Sequence, residues 1–226
     1  MKSLILSPHF DDAVFSCWKQ VIAHENQTLN IFSKIPKSGT HTIWDLICGD
    51  IDSNAMMQRR QLENKIALAG FSNLGLDYLD KQYRKNNLPV KELVSVIKPY
   101  CSKYDQTICP IAGSAIFKHP DHVLIRQVGV SIHHQGGKVA FYPDIPYMTL
   151  PNIPSATFLR QLERKTSALV GLNLQAHVCL LTDEELRTKI IASQAYKSQL
   201  AAVNLISGGR LKKYLRYKYE ILLVPS

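Results

Sequence analysis

Nowhere does this 226-residue sequence hold an apolar run on the order of 18 residues, so no membrane-spanning helix is expected. The apolar start of the chain is interrupted by His9 and Asp11 before a secretory-signal core could form. Cys-x-x-Cys spacing is absent as well. The five cysteines, Cys17, Cys48, Cys101, Cys109 and Cys179, are odd in number and fall mostly in apolar segments, so they read as buried thiols of a reducing compartment and a cytoplasmic protein is expected. There is no Gly-x-Ser-x-Gly nucleophile elbow and no Gly-x-Gly-x-x-Gly fingerprint, which argues against a serine hydrolase of that kind and against a dinucleotide-binding turn. Low-complexity linkers are missing too, and with 46% hydrophobic residues the chain can bury one sizeable core, so residues 1–226 are read as a single domain. Acidic residues are the scarcer sign: 18 Asp and Glu against 27 Lys and Arg leave a formal charge of +9.

Strand and helix patterns alternate along most of the chain. Strands are expected at Lys2 to Leu6, Thr28 to Ser33, Leu76 to Leu79, Thr107 to Ile111 and Lys138 to Tyr142. Between them the sequence predicts helices at Ala13 to about Ala23, Asn54 to Ala69 capped by Asp52 or Ser53, Val90 to Tyr100, and from His119 toward His133. Such alternation implies an α/β fold, a doubly wound, mostly parallel, Rossmann-like sheet with helices on both faces. After Leu150 come a helix at Phe158 to Leu169, a strand at His177 to Leu181, one long helix from Thr182 to about Ile206 ended by Gly208-Gly209, and a strand at Tyr219 to Val224. The stretch from Pro36 to Asp52 has no clear period and reads as a long loop able to reach over a site, with Trp44 within it.

Chemistry concentrates at two of the strand-to-helix turns. Pro8-His9-Phe10-Asp11-Asp12 follows the first strand, and His119-Pro120-Asp121-His122 opens the helix after the fourth, with Pro120 suited to the first helical position and His119 to the N-cap. Turns at the carboxyl ends of parallel strands are where ligands bind in open α/β sheets. Each motif alone also reads as helix capping and dipole compensation. Together they supply two histidines and an aspartate as metal ligands, with a further carboxylate left to act on water, the donor inventory of a catalytic zinc site.

These motifs resemble those of the PIG-L superfamily, the LmbE-like N-acetylglucosaminyl deacetylases. Three further segments stand in the family's order: Arg60-Gln61-Leu62-Glu63, Tyr142-Pro143-Asp144-Ile145-Pro146-Tyr147, and Lys189 with Tyr196-Lys197-Ser198-Gln199. The resemblance covers nearly the whole chain. It implies a zinc-dependent hydrolase that removes an N-acetyl or short N-acyl group from an amino sugar or glycoconjugate, with one Zn²⁺, or another divalent metal, held by His9, Asp12 and His122. Asp11 would be the general base, while His119, charged or oriented by Asp121, would stabilise the oxyanion. Arg60 would hold a hydroxyl or anionic part of the substrate; the other reading of Arg60 and Glu63 is an ion pair on a helix surface.

Two departures from the family bear on the substrate. Ala13 and Cys17-Trp18 stand where relatives often carry Glu and a Gly-Gly pair, so that helix sits farther from its neighbours or Trp18 lines a reshaped pocket. Phe117-Lys118 precede the second motif where a small residue is frequent, putting a ring and a cation near the entrance. One basic stretch, Arg210 to Tyr219, interleaves Lys and Arg with tyrosines and motivates an alternative function, an RNA- or anionic-membrane-binding module. It reads more simply as a solvated face with an edge strand protected by lysines, and nucleic acid is not the expected partner.

Overall fold

The computed structural model of the chain describes residues 1–112 and 119–226. Seven strands, β1 (Ser3–Ser7), β2 (Gln27–Asn30), β3 (Asn73–Gly75), β4 (Gln106–Pro110), β5 (Val139–Tyr142), β6 (Leu174–Leu180) and β7 (Tyr219–Pro225), form one sheet in the order β3-β2-β1-β4-β5-β7-β6. The first five are parallel; β7 runs antiparallel to both β5 and β6. Every residue of β1, β4 and β5 is buried, as expected for central parallel strands covered on both faces.

Helices α1 (Asp12–Ser16), α2 (Trp18–Val21), α3 (Ile43–Ile47), α4 (Ser53–Ala67), α5 (Val90–Cys101), α6 (Pro120–His134), α7 (Ala156–Val170), α8 (Asp183–Gln194), α9 (Lys197–Ile206) and α10 (Arg210–Tyr214) complete the described fold. They divide into two packing groups, with α1, α2, α4, α8 and α9 in contact on one side and α5, α6 and α7 on the other. Among the described residues no helix is long and apolar enough to cross a membrane. The chain runs outward from β1 to β3, then returns to β4 beside β1, so the topological switch lies between β1 and β4. Packing of α6 on β4 is close: a Cβ on Gly129 would lie 2.7 Å from Cys109 Sγ.

Five expectations need correction. The third strand lies at Asn73–Gly75, before the expected Leu76 to Leu79, paired in register with β2. The helix after β1 is broken at Cys17 (φ −144°, ψ 47°) because the Glu220 carboxylate, on β7, takes the backbone N–H of Trp18 at 2.8 Å and of Lys19 at 2.9 Å. The long helix from Thr182 is interrupted at Ala195 and Tyr196. There Tyr196 turns fully into the core, its hydroxyl 2.9 Å from the Phe10 carbonyl and from Asn64 Oδ1, and Glu63 receives the N–H and hydroxyl of Ser198 at 2.8 and 2.7 Å. The Pro36 to Asp52 segment is not structureless, since it contains α3, a helix of five residues and too short to show a period. Finally, β7 is an interior strand and not a lysine-protected edge, and Tyr214, Tyr217 and Tyr219 of the basic stretch are buried.

One buried ion pair joins these features. Lys189 (0% exposed) donates to Glu220 Oε1 at 2.6 Å, tying α8 to β7 and, through Glu220, to the break between α1 and α2. Removing the cation leaves a buried, partly unpaired carboxylate. Lys189→Met is therefore expected to destabilise the fold by about 3–5 kcal/mol, whereas Lys189→Met with Glu220→Leu together should recover part of the loss. Urea denaturation of both variants checks this, and a single variant as stable as the parent would refute it.

Candidate metal centre and active site

The site is built on the two turns at the β1/β4 switch. After β1, the Ser7 hydroxyl donates to the His9 carbonyl at 2.5 Å and accepts from Ala13 N–H at 3.1 Å, closing the turn, while His9 N–H donates to Asp12 Oδ2 at 2.8 Å. After β4, His119 caps α6, its Nδ1 accepting from Asp121 N–H at 3.3 Å, with Pro120 at the first position and His122 in the first turn.

His9 and His122 lie 113 residues apart in sequence, and the structure brings His9 Nδ1 and His122 Nε2 to 3.3 Å. Asp12 Oδ2 is 3.3 Å from each of them. The three atoms thus form an equilateral triangle. Zinc–nitrogen and zinc–oxygen bonds of about 2.0–2.1 Å require tetrahedral edges of about 3.3–3.4 Å, so the triangle has the dimensions of one tetrahedral face. Looser groupings, His9 with His119 and His122, and His9 with Asp80, His119 and Asp121, also have ligand atoms within 4.8 Å of one another.

Behind this triangle stand carboxylates that orient the rings. Asp144 Oδ1 lies 3.1 Å from His122 Nδ1 and its other oxygen accepts from Ala112 N–H, so Nε2 presents its lone pair inward. On His9 the outer nitrogen, Nε2, is 3.3 Å from both Asp80 Oδ2 and Asp121 Oδ2. Asp121 in turn accepts from Lys81 N–H at 2.9 Å and from Arg84. Its carboxylate is thus engaged behind His9, and it meets His119 through its backbone N–H. Asp80 appears in no sequence motif, and Asp144 was visible only as part of the Tyr142 to Tyr147 segment.

A cavity of about 380 Å³ opens over these groups and is lined by His9, Asp11, Asp12, Arg60, Asp80 and His119 at its polar end. Arg60, buried, lies 3.7 Å from Asp11 Oδ1 and 3.7 Å from Asp80 Oδ2, and Glu63 is occupied with Ser198, so the surface-ion-pair reading falls. Trp44 reaches the cavity from the Pro36 to Asp52 segment, and Tyr147 sets its ring edge-on to His122 at 5.2 Å. Trp18 does not line it: it is buried, with its indole N–H 3.1 Å from Thr188 Oγ1. Phe117 and Lys118 lie outside the described residues.

Titration follows from this crowding. Burial disfavours charge on His9, but Asp80, Asp12 and Asp121 outweigh it and raise its pKa well above the ordinary imidazole value. On His122 burial is likewise overcome by Asp12 and Asp144, which raise it. Burial pushes Asp12 up, yet His122 and His9 hold it well below the usual carboxylate range. For Asp11, burial and then the Asp12 charge raise the pKa against the pull of Arg60. Burial and the nearby His9 and His122 depress His119 to about 3. This favours the neutral ring, and with Nδ1 accepting from Asp121 N–H a neutral His119 carries its proton on Nε2.

No family-level sequence profile matches the chain. It is similar to 2'-N-acetylparomamine deacetylase of Niallia circulans, 27% identical over 83% of this chain and 84% of that protein. Among solved structures it is similar to the A40926 pseudoaglycone deacetylase (TM-score 0.71, 21% identity, 99% of this chain and 96% of that one). It is also similar to teicoplanin deacetylase in a zinc-inhibited form (TM-score 0.69, 18% identity, 100% and 99%). These structural likenesses establish the fold. The five motifs therefore remain a resemblance to the PIG-L (LmbE-like) superfamily, and the relative that matches the sequence is a deacetylase. Of the chain's departures from the PIG-L pattern, Ala13, Cys17 and Trp18 lie in the α1–α2 segment and none of the three lines the cavity.

The surrounding carboxylates raise the His9 pKa, and metal binding requires neutral imidazoles. Binding of a divalent ion at pH 7 should accordingly release protons, and affinity should fall as pH drops. Calorimetry of zinc binding in two buffers of different ionisation enthalpy measures this, and equal heats in both would contradict it. Asp144→Asn should weaken the metal about 10- to 100-fold by loosening the His122 ring.

Proposed function

We propose that residues 1–226 form one metal-dependent N-deacetylase domain that releases acetate, or a related short acid, from an N-acetylated amino sugar or glycoconjugate. The observation that carries this reading is the 3.3 Å triangle of His9 Nδ1, Asp12 Oδ2 and His122 Nε2 with a further carboxylate, Asp11, in the same cavity. In support, the similar proteins are a 2'-N-acetylparomamine deacetylase, an A40926 pseudoaglycone deacetylase and a teicoplanin deacetylase.

His9, Asp12 and His122 would hold the ion, and two imidazoles with one carboxylate suit Zn²⁺, with another divalent metal as the alternative. Bound there, it supplies Lewis acidity to the amide carbonyl and the attacking water. Asp11, whose pKa is raised, accepts the proton of the water as its oxygen adds to the carbonyl carbon. His119 presents Nε2–H to the carbonyl oxygen as that oxygen becomes negative. The C–N bond then breaks, and the proton on Asp11 passes to the leaving nitrogen, giving the free amine and the carboxylic acid. Arg60 limits the rise in the Asp11 pKa and offers a donor to a substrate hydroxyl. Asp121 serves by backing His9. The thiols Cys17, Cys48, Cys101, Cys109 and Cys179 are all unpaired, which supports the cytoplasm as the compartment.

The polyanion-binding reading lacks a comparable observation. Tyr214, Tyr217 and Tyr219 are 2%, 4% and 5% exposed, so the basic stretch offers no ring on which bases could stack.

Purified protein loaded with one equivalent of metal should release amine from N-acetylated glucosaminides. Asp11→Asn should keep the metal and lose turnover by about 10² or more, while His122→Ala should lose the metal itself. Metal analysis alongside amine release separates the two, and equal metal loss in both variants would remove Asp11 from the role of base. Excess zinc is to be avoided in this assay, given the zinc-inhibited relative.

A further inference from the structure

The polar groups of the cavity are gathered at one end. The rest of its lining is Trp44, Pro120, Tyr147, Val203 and Ile206, an apolar wall with Gln82 and Gln199 as the polar interruptions. Trp44 belongs to α3 and Val203 and Ile206 to α9, and the two helices are joined by the Trp44 indole N–H, which donates to Gln199 Oε1 at 3.2 Å.

Outside the mouth the apolar surface continues. On α3, Ile43, Leu46 and Ile47 are 80%, 63% and 51% exposed, and at the end of α9 Leu205 is 72% exposed beside Ile206. Residues three and four apart share a helix side, so Ile43, Leu46 and Ile47 form one stripe and Ile47 adjoins Trp44. The helix is not a loose loop that happens to carry these side chains. Asp45, on its opposite side and fully buried, receives the Tyr83 hydroxyl on both oxygens at 3.0 and 2.9 Å, and the Thr42 hydroxyl lies 2.9 Å from Gln82 Oε1. Buried polar bonds thus fix α3 with its aliphatic stripe outward at the lip of the cavity. Exposed apolar patches of this kind mark binding surfaces.

We propose that α3 and the last turn of α9 form an apolar subsite, continuous with the cavity, for a hydrophobic group carried by the N-acetylated sugar. The preferred substrates are then amphiphilic glycosides, and free, fully polar amino sugars are poor ones. This rests on the deacetylase reading given above. The sugar lies against the Trp44 and Tyr147 rings with its acetamido group over Asp11 and His119, and the apolar group leaves the mouth along the aliphatic stripe, removing both surfaces from water.

The test compares methyl and n-hexyl β-N-acetylglucosaminides on the metal-loaded protein, below any micelle concentration. The hexyl glycoside should show a KM about tenfold lower or better at similar kcat, since burying even two methylenes gives a factor of that order. Ile43→Ser with Ile47→Ser should erase the difference and leave turnover of the methyl glycoside unchanged. Equal KM for the two glycosides on the parent protein would overturn the inference while leaving the deacetylase reading intact. If neither is turned over, calorimetric binding decides: hexyl-glycoside affinity lost in the double variant supports the subsite and overturns the reading, and no binding overturns both. Sedimentation of both proteins covers another occupant, a second copy of the chain. A dimer that dissociates in the double variant, with equal KM values, would assign the stripe to self-association.

Discussion

Everything in the site depends on holding three ligand atoms 3.3 Å from one another inside the protein, although they come from two segments 113 residues apart. The sheet provides the meeting point: β1 and β4 are adjacent at the switch, so the turns that leave them open side by side. Orientation comes from further back, with Asp144 behind His122, and Asp80 and Asp121 behind His9. Asp80 and Asp121 are in turn matched by Arg60 and Arg84.

The second support is a set of buried polar ties that are not themselves in the cavity. Tyr196 reaches the Phe10 carbonyl, one residue from His9 and from Asp11, and Glu63 fixes the start of α9, whose other face lines the mouth. Glu220 breaks the helix that begins at Asp12 after one turn and is held by Lys189. These are long-range bonds between elements, and each would be costly if half broken. They explain why Lys189, Tyr196 and Ser198, which line no part of the catalytic end, stand in the same motif segments as the residues that do.

What was legible in the sequence was local. Strand-to-helix alternation, His119 as a cap, Pro120 at the first helical position and Gly208-Gly209 as a terminator are written in neighbouring residues, and the structure agrees with them. The places where it departs are those decided by a distant side chain: the break at Cys17 by Glu220, the break at Tyr196 by Asn64 and Glu63, and the interior position of β7 by its pairing with β5 and β6. The site divides the same way. Both ligand motifs could be read, but Asp80 has no spacing relation to either, and the carboxylate of Asp121 turns to His9 because Arg84 and Lys81 wait there, a fact held in a different segment.

The charge balance gives the last constraint. A chain of formal charge +9 gathers Asp11, Asp12, Asp80 and Asp121 about one cavity and offsets them with the buried Arg60 and the half-buried Arg84. A base needs a pKa high enough to take a proton yet must remain ionised to begin. Burial and Asp12 raise Asp11, and Arg60 at 3.7 Å opposes them. An ion beside Asp12 would add a second opposing charge, so Asp11 would be held by two cations against burial and one anion. The arginine at that position is then explained by the base as well as by the substrate: the same guanidinium that can meet a sugar hydroxyl keeps the proposed base available before the sugar arrives.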